Sequence, residues 1–417
     1  MTDAAVPTGP AGPIARSGVA RVGVATAVTA VCGYAVLYLA ASDLDPAGFS
    51  VFAVFWGAFG LVTGAANGLL QQSTREIRMA RTVLPEHRPI TRPLRVAAIV
   101  GVLSAAAIVA TATLWSSHVF VESRWLSVIL LAVGLAGFCL HATLLGMLAG
   151  ANHWSQYGAL MVTDAVTRVL IAGATVLVGW GLVGFLWATV GGAMAWLLLL
   201  AASPVARATA ALVAHQDTGS FLRGASHAIA AAGASAILVM GFPVLLQATS
   251  GDLGATGGVV ILAVTLTRAP LLVPLTAMQG NLIAYFVDQR QRRLRALLAP
   301  IAIVTVIGAV GVGLAWGAGP WLLRVGFGPD YVTTGGLLAW LTAGAVAIAV
   351  LTVTGAATVA AALHRAYSVG WVGATVVAAG VLTLPLPLET RTVIALLCGP
   401  VVGIAVHLFA LAAGSRG

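Results

Sequence analysis

Residues 126–150 read LSVILLAVGLAGFCLHATLLGMLAG, with no Asp, Glu, Lys or Arg among them. As a helix this run is roughly 38 Å long at 1.5 Å per residue, enough to cross a hydrocarbon core of about 30 Å. Eleven similar runs accompany it, near residues 17–41, 47–71, 96–116, 158–180, 182–203, 226–248, 257–282, 297–317, 335–361, 366–385 and 392–412. The chain of 417 residues is 60% hydrophobic and 8% charged, whereas a soluble domain carries about 25% charged residues. Such a chain cannot cover a water-facing surface. Twelve crossings of about 20 residues take roughly 240 residues and leave no room for a separate soluble domain. The sequence therefore predicts an all-α polytopic membrane protein with twelve transmembrane helices.

All 21 basic residues are Arg, and the net charge is +9. They sit in short clusters between apolar runs, so the charge reads as topology and not as nucleic-acid binding. Short cytoplasmic loops retain positive charge. With the N-terminus inside, the inner segments hold Arg16, Arg21, Arg75, Arg78, Arg81, Arg88, Arg92, Arg95, Arg207, Arg223, Arg290, Arg292, Arg293, Arg295, Arg365 and Arg416, which is 16 of the 21. The outer loops hold 3, Arg124, Arg324 and Arg391, and the remaining two, Arg168 and Arg268, fall inside apolar runs. Both termini are expected in the cytoplasm, in a bacterial plasma (inner) membrane. The first run is too long for the apolar stretch of a cleaved signal peptide. Cys32, Cys139 and Cys398 lie within apolar runs, where free cysteine acts as a small hydrophobe.

The inner connection at 204–225 divides the runs into two sets of six. The expected organisation is a disordered tail (1–16), a six-helix lobe (17–203), a cytoplasmic linker (204–225), a second six-helix lobe (226–412) and a short tail (413–417). An internal repeat supports it. Leu145-Gly146 leading to His153 and Tyr157 resembles Thr354-Gly355 leading to His364 and Tyr367. Gln71-Gln72-Ser73 matches Gln279-Gly280-Asn281 in the same way. A parallel six-plus-six repeat suits a transporter with two rocking lobes.

The segment Phe327-Gly328-Pro329-Asp330-Tyr331, between the ninth and tenth runs, resembles the "FG-P-[DE]-Y" turn of polysaccharide-biosynthesis membrane proteins. These are lipid-linked oligosaccharide flippases of the multidrug/oligosaccharidyl-lipid/polysaccharide exporter superfamily. Thr267-Arg268-Ala269-Pro270 is similar to a "T-R-A-P" segment of that family, and the two Gly-to-Tyr connections above resemble its "G…(R/H)…Y" links. The first turn departs from the pattern, with Asp45-Pro46 in place of Gly-Pro. The resemblance implies a V-shaped pair of lobes around a central cavity that opens alternately to each side. It implies a polyprenyl-pyrophosphate-linked sugar as substrate, with membrane lipids and polysaccharide assembly enzymes as partners, and no cofactor.

Independently of any family, a charge near the bilayer midplane is costly and faces a cavity or a partner. Arg268 lies about 11 residues, or roughly 16 Å, into its run, with Pro270 and Pro274 after it and no acid within one turn. Asp164 and Arg168 stand roughly 9 Å and 15 Å above the inner end of the fifth run and share one helical face. Their pairing has two readings: an intrahelical ion pair that makes each charge tolerable, or a cavity-lining pair whose state changes during transport. Two buried arginines against one aspartate leave a surplus positive charge suited to pyrophosphate, which the planar Arg fork binds bidentately. Gln71 and Arg75 give the end of the second run a polar face that either lines the cavity mouth or marks the interface. The candidate substrate-binding residues are Arg268, Arg168, Asp164, Gln71 and Arg75. His141, His227 and His407 show no metal-ligand spacing. A cation-coupled multidrug antiporter of the same superfamily is the alternative, and an oligosaccharide polymerase or ligase would need a large outer loop that the sequence does not offer.

The arginine distribution predicts that Arg81→Cys and Arg292→Cys are shielded from an impermeant thiol reagent in intact cells, whereas Asp252→Cys and Asp330→Cys are labelled. Labelling of Arg81→Cys from outside overturns the topology.

Overall fold

A computed structural model of the chain describes residues 13–80, 90–289 and 292–413, with side chains from residue 21 onward apart from 277, 280, 281, 284 and 293. Arg81, Arg88, Arg290 and Arg416 and the first twelve residues of the expected tail lie outside the described residues. In hydrocarbon every backbone polar group must be paired within the protein, which leaves helices as the economical way across. The first lobe consists of α1 (Pro13–Asp43), α2 (Pro46–Ala80), α3 (Pro93–Val119), α4 (Arg124–Gly150), α5 (Trp154–Val178), α6 (Gly181–Gly191) and α7 (Ala195–Ala202), with α8 (Pro204–Ala210) following it. The second consists of α9 (Thr218–Val239), α10 (Phe242–Ser250), α11 (Gly254–Ala277), α12 (Gln279–Asp288), α13 (Arg293–Ala296), α14 (Leu298–Gly317), α15 (Gly319–Phe327), α16 (Gly335–Ala360), α17 (His364–Leu382) and α18 (Leu388–Ala413). Twelve of the described segments are long and apolar enough to span a membrane. With an even number of spans, the start of α1 and the end of α18 lie on one side, called here the terminal side.

Proline occupies the first helical position of α2, α3 and α8, where its missing N–H has no intrahelical partner to lose. Threonines inside the spans return their hydroxyls to the preceding turn. Thr63 donates to the Phe59 carbonyl, Thr189 to Phe185, Thr265 to Ile261 and Thr342 to Leu338, at 2.7–2.9 Å. These polar residues therefore cross the membrane already satisfied.

The repeat is written into two turns. Between α4 and α5, Asn152 has φ 61°, and between α16 and α17, Ala362 has φ 59°. His153 N donates to Leu148 O as Leu363 N does to Thr358 O, and Tyr157 N bonds His153 O as Tyr367 N bonds Leu363 O. Each pair is separated by 210 residues (362 − 152, 363 − 153 and 367 − 157). The structural counterpart of His153 is thus Leu363, one residue before the His364 matched from sequence.

The lobes meet chiefly along α2, which packs on α9, α10 and α11. Two glycines allow the approach. A Cβ on Gly68 would overlap the backbone of Ile229, and one on Gly258 would overlap the carbonyl of Pro46. Phe49, Phe52 and Phe55 of α2 are fully buried, so this helix belongs to the core of the whole molecule.

Overpacking a tight contact costs about 1–3 kcal/mol. Gly68→Leu is expected to lower the melting temperature in detergent, whereas Gly23→Leu, where a Cβ meets nothing within 4 Å, leaves it unchanged.

Candidate functional site

Between the lobes lies a cavity of about 570 Å³, walled by α1, α2, α5, the α9–α10 junction and α11. It separates α1 from α11 over much of their length, from Leu37 and Ile261 at one end to Thr26 and Thr276 at the other. Thr26 and Thr276 lie toward the terminal side, so the cavity extends in that direction. Its wall includes Tyr34, Trp56 and Met240, and Arg268 is its one charged lining residue among the described residues.

Arg268 is held by a break in the seventh span. The α9 helix stops at Val239 and α10 restarts at Phe242, with Met240 and Gly241 between them. Residue 243 is Pro and has no N–H, so the Val239 carbonyl loses its normal i+4 donor. Nη1 of Arg268 reaches across from α11 to the carbonyls of Val239 at 3.3 Å and Leu238 at 3.5 Å. Both contacts are long for hydrogen bonds. The guanidinium also meets the negative end of the α9 dipole and lies 5.0 Å from the centroid of the Phe242 ring. Arg268 is 7% exposed. Its Nε and Nη2, which form the side edge of the guanidinium fork, are buried with no hydrogen-bond partner among the described residues. Leu266 and Pro270 line another cavity, apart from the one that Arg268 lines.

The Asp164–Arg168 pair lies inside the first lobe and does not line the central cavity. Nε of Arg168 donates to Asp164 Oδ1 at 2.9 Å, and both side chains are mostly buried. Nη1 of Arg168 donates to the Thr189 carbonyl of α6, and its guanidinium stands 5.4 Å from the Phe59 ring centroid. Gly192 leaves room for the pair, because a Cβ there would overlap Asp164 Oδ1. His141 is buried on α4, stacked on Phe138 at 5.3 Å with Nδ1 unpaired, and is close enough to interact electrostatically with both members of the pair.

Gln71 and Arg75 are exposed at the terminal-side end of α2 and do not line the central cavity. Their neighbours turn inward instead. Gln72 donates to Glu76 Oε1 at 3.0 Å, and both are buried. The Gln72 amide sits against Gly224 of α9, so this polar end belongs to the seam between the lobes. His407 is a satisfied core residue, with Nδ1 3.1 Å from the Thr354 hydroxyl and Nε2 3.3 Å from the Tyr367 carbonyl. Among the described residues no group of His, Cys, Asp or Glu is placed to hold a metal. The helix break at Gly241 and Pro243 escapes a hydropathy reading, although the Gly-Phe-Pro triplet is the sequence signal for it.

No protein-family model matches the chain. The uncharacterized protein Rv3630 of Mycobacterium tuberculosis is 66% identical over 415 residues, covering 98% of this chain and 96% of that protein. The uncharacterized protein Rv1510 of the same organism is 65% identical over 414 residues, covering 99% and 95%. Among solved structures, the inward-facing conformation of a multidrug resistance MATE family transporter of the MOP superfamily matches with a TM-score of 0.72 at 15% identity, over 96% of this chain and 99% of that one. A MOP superfamily transporter from Pyrococcus furiosus, described as having a binding pocket of reverse polarity, matches with a TM-score of 0.63 at 15% identity, over 96% of each chain. The chain belongs to the family of Rv3630 and Rv1510, and it carries the two-lobed, twelve-span fold of the MOP-superfamily transporters.

Proposed function

We propose that this protein is an alternating-access transporter of the plasma membrane. It flips a polyprenyl-pyrophosphate-linked oligosaccharide from the cytoplasmic to the outer leaflet for building cell-envelope or exported polysaccharide. The observation that carries this reading is Arg268, the one charged group on the cavity wall among the described residues, with a buried fork edge that no acceptor among them fills. Two adjacent phosphate oxygens match that edge bidentately, and an anion arriving from the cavity satisfies donors whose burial is otherwise costly. An organic cation finds no carboxylate on this wall. On the arginine count the terminal side is the cytoplasmic one, and a cavity that extends toward it is suited to receive a lipid-linked sugar assembled there. Polysaccharide assembly enzymes are its proposed partners on that face.

The second reading is a cation-coupled multidrug antiporter, favoured by the multidrug transporter among the structural neighbours. Either reading needs an energy source, and the Asp164–Arg168 pair with His141 beside it is the candidate coupling group. Protonation of Asp164 would release Arg168 to new partners.

Depletion of the protein is expected to accumulate a pyrophosphate-linked lipid in the cytoplasmic leaflet, identified by mass spectrometry. Arg268→Ala and Arg268→Gln fail to clear it at normal membrane abundance, with turnover at least about tenfold lower, a loss of roughly 1.4 kcal/mol. Arg268→Lys clears it partially, because a point charge attracts phosphate without the fork. No accumulation, with increased sensitivity to cationic drugs, favours the antiporter.

Asp164→Asn is expected to uncouple transport from the proton or sodium gradient while the protein still folds. If the pair is only structural, Asp164→Asn with Arg168→Gln is tolerated better than either single change, since a lone buried charge is worse than none. Full activity in that double variant ends the coupling role.

A further inference from the structure

The FGPDY turn takes no part in the cavity wall around Arg268, yet it joins the two lobes. The α15 helix ends at Phe327. Gly328 then adopts φ 99°, which favours glycine, and Pro329 stops the helix from continuing. This sharp turn sets two rings of the second lobe side by side, Phe327 and Tyr331, with centroids 6.0 Å apart. Both touch the first lobe. Phe327 meets Tyr38 of α1 edge-on at 5.6 Å, and Tyr331 meets Phe49 of α2 at 6.2 Å with the planes at 82°. The ring chain continues from Phe49 to Phe52 at 6.0 Å and from Phe52 to Trp56 at 5.9 Å. Phe49 and Trp56 line the central cavity. The buried Tyr331–Phe49 contact therefore adjoins the cavity wall, through Phe49 and Trp56, at the end away from the termini.

We infer that Phe327 and Tyr331, closing on Tyr38 and Phe49 across the lobe boundary, form the gate that seals the central cavity on the side opposite the termini. The inference rests on the alternating-access reading and is independent of the substrate. Two further observations show that the gate is built to open. Tyr331 is 2% exposed, but its hydroxyl has no hydrogen-bond partner among the described residues. Burial and the nearby carboxylates of Asp45 and Asp330 raise its pKa, so the phenol stays neutral. The unpaired hydroxyl subtracts from what the ring contacts contribute to the closed state. Phe327 also borders an apolar cavity of about 550 Å³ between α11, α14 and α16. Its ring has room to withdraw within its own lobe when the contact with Tyr38 breaks.

The test uses the full chain with Cys32→Ser, Cys139→Ala and Cys398→Ala, and one reporter, Ala30→Cys, on the cavity wall. An impermeant maleimide is applied to spheroplasts and to inverted vesicles. The parent is expected to label from the terminal side only. Phe327→Ala with Tyr331→Ala is expected to label from the opposite side at least fivefold faster than the parent. Tyr331→Phe keeps the ring, removes the orphan hydroxyl and labels from that side no faster than the parent. Phe327→Leu, a gentler change for a variant that must fold, gives an intermediate rate. Unchanged labelling of the double variant from the opposite side, in protein that reaches the membrane, overturns the gate. So does a Tyr331→Phe variant that opens as widely as the double alanine. Because no transport is measured, a negative result here leaves the Arg268 reading standing, and a failed Arg268 experiment leaves the gate standing.

Discussion

The carbonyl of Val239 has lost its amide, and the arrangement around the cavity follows from that deficit. A membrane interior offers no water to repair a broken helix, so the break that Pro243 imposes needs a donor from elsewhere in the protein. Arg268 supplies it from α11. Each group makes the other admissible: the guanidinium is tolerated at mid-depth because it meets carbonyls and a helix C-terminus, and the break is tolerated because the guanidinium fills it. The match is incomplete. One nitrogen serves two long contacts, and the other two remain buried without acceptors. That residue of unmet demand is what distinguishes Arg268 from Arg168, whose Nε and Nη1 are engaged by Asp164 and the Thr189 carbonyl.

The sequence made the spans legible because crossing a bilayer imposes a length and a composition that neighbours cannot override. Helix ends were less legible. The second run closes near residue 71 by hydropathy, but α2 continues to Ala80, because Gln71, Gln72, Arg75 and Glu76 are good helix formers that do not need lipid around them. Hydropathy reports the edge of the hydrocarbon and not the end of the helix. For the same reason the seventh run read as one span, although it is two helices. The Asp164–Arg168 pair was visible because a spacing of four is a local fact. The true partners of Arg268 were not, since Val239 is 29 residues away and offers a backbone atom that carries no mark in the sequence.

The same distinction separates the candidate residues. Counting two buried arginines against one aspartate assumes a single shared cavity. The structure divides them: the ion pair stays within the first lobe, and Arg268 stands on the cavity wall contributed by the second. The surplus charge is therefore not a sum over the protein but a property of one side chain. Gln71 and Arg75 fall outside the wall altogether, because the face of α2 that turns inward at that level carries Gln72 and Glu76.

The two long edges of the lobe interface differ in kind, and this difference sets how the lobes can move. Along α2 and α9, small residues bring the helices close, and at Gly68 backbone lies against the backbone of Ile229. Along α1 and α11 the cavity intervenes, and the lobes touch through aromatic side chains at the end away from the termini. Side-chain contacts can part by rotamer changes, whereas a backbone seam can only roll or separate as a unit. Rocking about the α2–α9 seam would keep its close contacts while exchanging the ring contacts at one end of the cavity for an opening there. Arg268 lines the cavity and is bonded to the break in the seventh span, so a motion of that break would reach the guanidinium through the carbonyls it holds.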